Sequence, residues 1–389
     1  MLSQMADRSS FEHLRSQAAD IAGSVLAADC EMVDHEGAWP ERGLRALAGA
    51  GLMGLHVPKH LGGHGEGMLA LAVIAEELGR HCSSTAMCFG MHCVATKVLA
   101  AKATAYHEDA FLRPIAEGRH ISSLALSEPG TGIHFFLPRA QFRTEGAEVV
   151  LKGQKSFVTS GGHAHSYVTS AVSPGQELDP GAFACFAIAA DSPGLEWQSE
   201  WQGFGMRGNS SRSVRFDDVR IPRQNLLGAE GDEIWYVFEV IAPYFIMAMA
   251  GVYLGIAQAA LDAALAHLKS RRHDHTGQTL SEVPALGDQV AEMWISVQRT
   301  RQLVHHAARL GDAGDASTAL ALFASKADVA DMVTSVTQQA MILCGGRGYE
   351  QNSQTARLMR DAQASHVMAP TTQLLKSWLG RSLLDLPLL

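Results

Sequence analysis

Ser213-Val214-Arg215-Phe216-Asp217 puts an apolar side chain at every second position, the period of a strand with one buried face. The same pattern extends outward from about Ile121 to Leu227. Candidate strands lie at Val149 to Lys152, Phe157 to Ser160, Tyr167 to Val172 and Phe183 to Ile188, parted by clusters of Gly, Pro, Ser and Asp. Strands this short and this evenly spaced predict a compact antiparallel β-barrel or sandwich. On both sides the period returns to 3.6. From Phe11 to about Arg119 the chain reads as helices punctuated by glycine: Leu69 to Leu78 stops at Gly79, Ser83 or Ser84 is placed to cap the next helix, and Val57 to Gly67 is a turn-rich loop. After Gly228, Leu286, Val290, Met293, Val297, Val304 and Ala308 mark one apolar helix face closed by Gly311. A second helix runs from about Ser317 to Cys344 and halts at Gly345-Gly346. The expected fold class is therefore α+β in three parts: an N-terminal α-helical domain over 1–120, a middle antiparallel β-barrel domain over 121–228, and a C-terminal α-helical bundle over 229–389.

The 389 residues are 47% hydrophobic and 18% charged, enough apolar matter for a large core. A net charge of -9 argues against nucleic acid, whose phosphates demand a basic surface. Six cysteines without a C-x-x-C pair or zinc spacing read as reduced thiols. With Asp7, Arg8, Glu12, Arg15 and Asp20 near the start and no apolar signal region, the expectation is a cytoplasmic protein. Val240 to Leu261 carries no charge and is long enough to span a bilayer, but its Pro243, Gly251, Gly255 and many alanines predict a helix packed on all sides by other helices. No membrane association is expected.

Gly203-Phe204-Gly205-Met206-Arg207-Gly208 matches a dinucleotide-binding fingerprint, yet no apolar strand precedes it and no helix follows, so it is rejected as one. More informative are Leu126-Ser127-Glu128-Pro129-Gly130-Thr131-Gly132, then Gly153-Gln154-Lys155-Ser156-Phe157-Val158-Thr159-Ser160-Gly161-Gly162, then Met206-Arg207-Gly208 leading to Phe216-Asp217-Asp218-Val219-Arg220-Ile221-Pro222. Gly345-Gly346-Arg347-Gly348-Tyr349 and Met359-Arg360-Asp361-Ala362 complete the series. In order and spacing these motifs resemble the acyl-CoA dehydrogenase superfamily across nearly the whole chain. The resemblance implies FAD held between the β-domain and the bundle and completed by a neighbouring subunit of a homotetramer or homodimer. It assigns Ser127 and Thr159 to the flavin edge, and Leu126 and Phe157 to the cofactor. Thr371 and Gln373 fall to the ADP portion, and Gly345 and Gly346 to the cofactor as well; His273 stands where an arginine commonly meets the pyrophosphate, and the neighbouring Arg272 is the candidate substitute. It also implies an acyl thioester substrate, on CoA or on a carrier protein, and an electron-transfer partner.

Two departures bear on chemistry. The positions where such proteins keep a catalytic glutamate are Ala369 and, in a few members, Phe245; neither side chain accepts a proton. Ile246 and Ile133-His134 replace residues that help hold CoA. His366 and His92 are the candidates for proton handling, since imidazole exchanges protons near neutrality. The expected function is an FAD-dependent oxidoreductase of an acyl thioester with an atypical base such as His366. A flavin-dependent monooxygenase using both histidines, or a non-catalytic homologue, are the alternatives.

Overall fold

The computed structural model describes residues 2–176, 182–229 and 232–388. The N-terminal part holds α1 (Leu2–Ile21), α2 (Ala27–His35), α3 (Glu41–Gly49), α4 (Met68–Gly79), α5 (Ser83–Ala101) and two short turns, α6 (Ala105–His107) and α7 (Arg113–Ala116). Residues 57–67 form the expected loop, with only one 3₁₀ turn, Lys59–Leu61. Nearly every side chain of α5 is buried, so this helix is the hub of its domain. The two serines at its start behave differently from expectation. Neither caps it, because Ser83 donates its hydroxyl to Asp361 and Ser84 accepts from the Gly208 N–H at 3.2 Å. Both are drawn off by other domains.

The middle part is one sheet of β1 (Ser122–Ala125), β2 (Gln141–Glu145), β3 (Glu148–Val158), β4 (Ser166–Val172), β5 (Phe183–Ala189), β6 (Leu195–Trp197), β7 (Arg212–Pro222) and β8 (Leu226–Leu227). Its order is β6-β7-β3-β2-β4-β5-β8, with β1 beside β4. The expected closed antiparallel barrel is corrected here: the sheet stays open and mixed. β1 pairs with β4 in parallel, and β2 meets β4 through a single parallel pair, Gln141↔Val172. Two antiparallel halves are thus joined by a narrow seam. Alternation tells which face of a strand is buried but not which neighbour it takes or in which direction. Along β7 the alternation holds as read, with Val214 and Phe216 buried and Arg215 and Asp217 exposed. The two strands expected at 149–152 and 157–160 are instead one: β3 runs through to Val158, its register broken by bulges, and Phe157 and Ser160 take left-handed φ values of 55° and 57°.

The last part contains α8 (Glu233–Trp235), α9 (Ala242–Ser270), α10 (Pro284–Ala313), α11 (Thr318–Gly348), α12 (Gln354–Ala362), α13 (Ala364–Val367) and α14 (Thr372–Leu383). The apolar stretch Tyr236–Ser270 is long enough to cross a membrane, but 94% of its most apolar window is buried inside the protein. It is the central helix, packed against α4, α5 and α11. Its glycines explain the tight approach, since a Cβ at Gly251 would lie 2.2 Å from the carbonyl oxygen of Ala72, and one at Gly255 2.4 Å from that of Glu76. On α10 the predicted apolar face holds, but the helix continues past Gly311 to Ala313 and ends at Gly314, which takes the left-handed φ of 65°. Gly311 instead packs against Met68. α11 breaks at Gly345, as predicted.

Polar side chains bind the three parts together. Asp312 of α10 accepts the N–H groups of Met68 and Leu69 and so caps α4 from another domain. Asp361 of α12 accepts the Met206 N–H at 2.6 Å and the Ser83 hydroxyl, while Arg360 beside it pairs with Asp34 and donates to the Phe204 carbonyl at 3.1 Å. Removing the Asp361 carboxylate strands two buried donors, which costs about 1–3 kcal/mol each. Urea unfolding of Asp361→Ala should therefore show a loss of at least about 2 kcal/mol, and a loss below about 0.5 kcal/mol would contradict this role.

Candidate active site

Where the three parts meet they enclose a cavity of about 950 Å³, of the size that suits a cofactor together with a small substrate. One wall comes from the sheet. Leu126 and Ser127 follow β1, Ser156, Phe157 and Thr159 lie at the end of β3, and Ser211 precedes β7. The backbone brings them together: the Ser156 N–H donates to the Ser127 carbonyl at 2.8 Å, and the Thr159 and Ser211 hydroxyls stand 3.3 Å apart. The left-handed turn at Phe157 lies in the bulge between Lys155 and Val158 and leaves that ring 67% exposed. The facing wall is built from Ile241, Ala242 and Phe245 at the start of the central helix and from the strip Ala364 to Pro370.

Several predicted positions therefore converge. Leu126, Ser127, Phe157 and Thr159 share one wall, and Ala369 and Phe245, remote in sequence, both line the other. Ile133 is also on the lining, whereas Ile246 is fully buried within the bundle and His134 is exposed beside Phe136. Thr371 and Gln373 follow directly after the cavity strip but do not line it. Thr371 caps α14 by accepting the Leu374 N–H, and Gln373 is exposed. Arg272 is exposed too, bonded to the Gly277 carbonyl at 2.9 Å, and a Cβ at Gly345 or Gly346 would meet no atom within 4 Å. None of these three lines this chain's cavity.

The two candidate histidines are not on the lining either. His92 is fully buried: Nε2 donates to the Met53 carbonyl at 2.9 Å and Nδ1 accepts the Ser122 N–H at 3.1 Å. Burial lowers its pKa to about 4, so it is a neutral bolt between the helical domain and β1. The helical turn of about 100° per residue explains the miss: Met91 faces the cavity, so its neighbour His92 cannot. His366 is half-buried and bridges the hydroxyls of Thr372 at 3.0 Å and Thr334 at 3.3 Å, while Val367 takes the cavity side.

Charge on the lining is already engaged. Its one carboxylate, Glu128, meets the Lys155 ammonium at 2.6 Å and accepts the N–H groups of Arg139 and Ala140 at 2.7 and 3.1 Å. Its one cation, Arg360, is paired with Asp34. Among the described residues, the lining holds no carboxylate or imidazole free to take a proton. It does hold unusual apolar exposure: Phe157, Phe204 and Val367 are each exposed over two-thirds or more of their surface. The Glu128–Lys155 pair was not singled out from sequence, although the polar residues of both motifs carried the signal.

Two helical parts close on a sheet, with hydroxyl-bearing residues on one wall and an apolar strip on the other. Comparison with known proteins gives this scaffold its class. Residues 9–119, 123–219 and 245–384 match the N-terminal, middle and C-terminal domains of acyl-CoA dehydrogenase. A probable acyl-CoA dehydrogenase of Bacillus subtilis is 30% identical over 376 residues, covering 95% of this chain and 97% of the relative. The cyclohex-1-ene-1-carbonyl-CoA dehydrogenase of Geobacter metallireducens is 30% identical over 366 residues, covering 94% and 95%. The structure of butyryl-CoA dehydrogenase from Megasphaera elsdenii superposes with a TM-score of 0.91 at 24% identity, covering 96% and 98%. The chain belongs to the acyl-CoA dehydrogenase family.

The His92 geometry sets a pH dependence. Its folded pKa, about 4, lies below the ordinary 6.5, so the unfolded chain binds more protons between these values and stability falls as pH drops through that window. A shift of this size corresponds to about 3 kcal/mol. Urea unfolding at a series of pH values should show this loss between pH 6.5 and 4, with a shallower slope in His92→Gln; equal slopes would contradict the assignment.

Proposed function

We propose that the protein is an FAD-dependent oxidoreductase of an acyl thioester whose own chain provides no catalytic base at the cavity. The observation that carries this reading is the pairing of the Ser127 and Thr159 hydroxyls on one wall with Ala369 and Phe245 on the other. FAD fits the residues present. The exposed Phe157 ring and the Phe204 and Val367 side chains offer apolar surface to a flat ring system, and the hydroxyls of Ser127, Thr159 and Ser211 offer polar contacts to its edge. When bound, FAD supplies the two-electron acceptor.

The protein's part is orientation and exclusion. Thr159 and Ser127 stand on backbone fixed by β1 and β3, so their hydroxyls lose little freedom when a ligand arrives. Phe245, Ile241 and Met368 keep water from the acyl portion. With Ala369 and Phe245 unable to hold a proton and Glu128 locked to Lys155, no side chain on the lining removes a substrate proton. A positioned base typically contributes about 10²–10⁴-fold in rate. The preferred substrate is accordingly one whose α-hydrogen is already acidic or leaves to water. Neither His92 nor His366 is on the lining, so the monooxygenase alternative that relied on them has no support in this geometry.

A second copy of the chain completes the cofactor site in this proposal. Arg272, Gly345 and Gly346 turn away from their own cavity, and Trp294, Ile295 and Ile342 leave apolar surface on α10 and α11. Light scattering should then give a dimer or tetramer.

Two measurements test the proposal. Purified protein titrated with FAD should quench its fluorescence, with Thr159→Ala binding about tenfold more weakly, as loss of a hydrogen bond of about 1–1.5 kcal/mol predicts; no uptake would reject the enzyme reading. Placing a carboxylate on the lining with Ala369→Glu should raise the anaerobic rate of flavin reduction by a simple saturated acyl thioester about 10²-fold or more. An unchanged rate in a folded, flavin-loaded Ala369→Glu would show that the missing base does not limit this protein.

A further inference from the structure

Lys326 lies in the middle of α11, fully buried, and among the described residues no carboxylate is bonded to it. Its ammonium reaches out of the bundle to three backbone carbonyls: Ser365 at 3.2 Å, Met368 at 3.3 Å and Pro370 at 2.9 Å. An ammonium has three protons to donate, and here each has an acceptor. Those acceptors belong to the strip that forms the wall opposite the sheet, on which Val367, Met368, Ala369 and Pro370 face the cavity. α13 is a helix of four residues and cannot hold itself in place.

We propose that Lys326 is a positioning residue for the active site, clamping the carbonyls of residues 365–370 from behind and so fixing the wall on which Ala369 stands. The Tyr253 hydroxyl of α9, donating to the Met368 sulfur at 3.1 Å, is the second hold on the same strip. The clamp is independent of what the cavity binds. It would operate equally with any substrate, because it touches the wall and not the ligand.

The clamp uses the charged form of Lys326. Burial pulls the Lys326 pKa down, and the three carbonyls favour the charged form that donates to them. The titratable groups on the elements around it are Tyr253 on α9, kept protonated by burial, Asp361 on α12, raised by burial and bound to Met206 and Ser83, and His366 on α13 between two threonines. On its own helix, Asp328 is held by Thr300 of α10, and Asp331 pairs with Lys376 of α14 at the surface. When the strip swings away, Lys326 regains water and loses the three carbonyls.

Hydrogen exchange of the full chain, read by mass spectrometry on peptides covering 364–371, tests this. In Lys326→Met those amides should exchange at least tenfold faster while peptides from α5 stay within twofold of wild type. Lys326→Arg, which keeps a charged donor, should retain more protection than Lys326→Met and less than wild type; it serves as the test on its own if the methionine variant does not fold. Unchanged protection at 364–371 in a folded variant, or faster exchange spread equally over α5 and α11, would each overturn the proposal.

Discussion

The Asp361 carboxylate is the junction on which the architecture turns. Burying a carboxylate is costly unless its oxygens are bonded, and here the bonds come from two other domains: the Met206 N–H of the sheet region and the Ser83 hydroxyl at the start of α5. Its neighbour Arg360 adds the pair with Asp34 and the bond to the Phe204 carbonyl. Two consecutive residues on α12 therefore set how the helical domain, the sheet and the bundle meet. The cavity lies beside this junction, with Phe204, Met206 and Arg360 on its lining.

The same principle governs the cavity's charge. Lys155 with Glu128, Arg360 with Asp34, and Lys326 with three carbonyls all use ionic groups to hold backbone. Each charge is satisfied behind or beside the lining, and none is left over for a ligand. What faces inward is hydroxyl and hydrocarbon. Such a surface can orient a neutral ring and an apolar acyl chain, and it can exclude water from both. On the proposed function, proton transfer is arranged by the substrate or by solvent.

The domain order was legible because periodicity changes twice along the chain, and α9 was correctly read as a core helix from its glycines and alanines, which let it touch α4. The openness of the sheet was hidden, since alternation in β7 and β4 does not encode that β1 runs parallel to β4. In the site, Leu126, Ser127, Phe157 and Thr159 were identifiable from their motifs, as were the positions Ala369 and Phe245 across from them. The histidines fall off the lining for a geometric reason: one residue of helical phase separates His92 from Met91, and one separates His366 from Val367. Lys155 and Lys326 escaped notice because nothing local marks a lysine as buried; only the long-range partners Glu128, Ser365, Met368 and Pro370 do so.

The central claim is a flavin site with no ionisable base on its lining. It is tested most directly by the pH dependence of anaerobic flavin reduction by a saturating acyl thioester. Without a carboxylate or imidazole in the proton transfer, the rate should show no titration between about pH 5 and 8. A sigmoid or bell with an apparent pKa inside that range, retained at saturating substrate and abolished by a single side-chain substitution, would contradict the account.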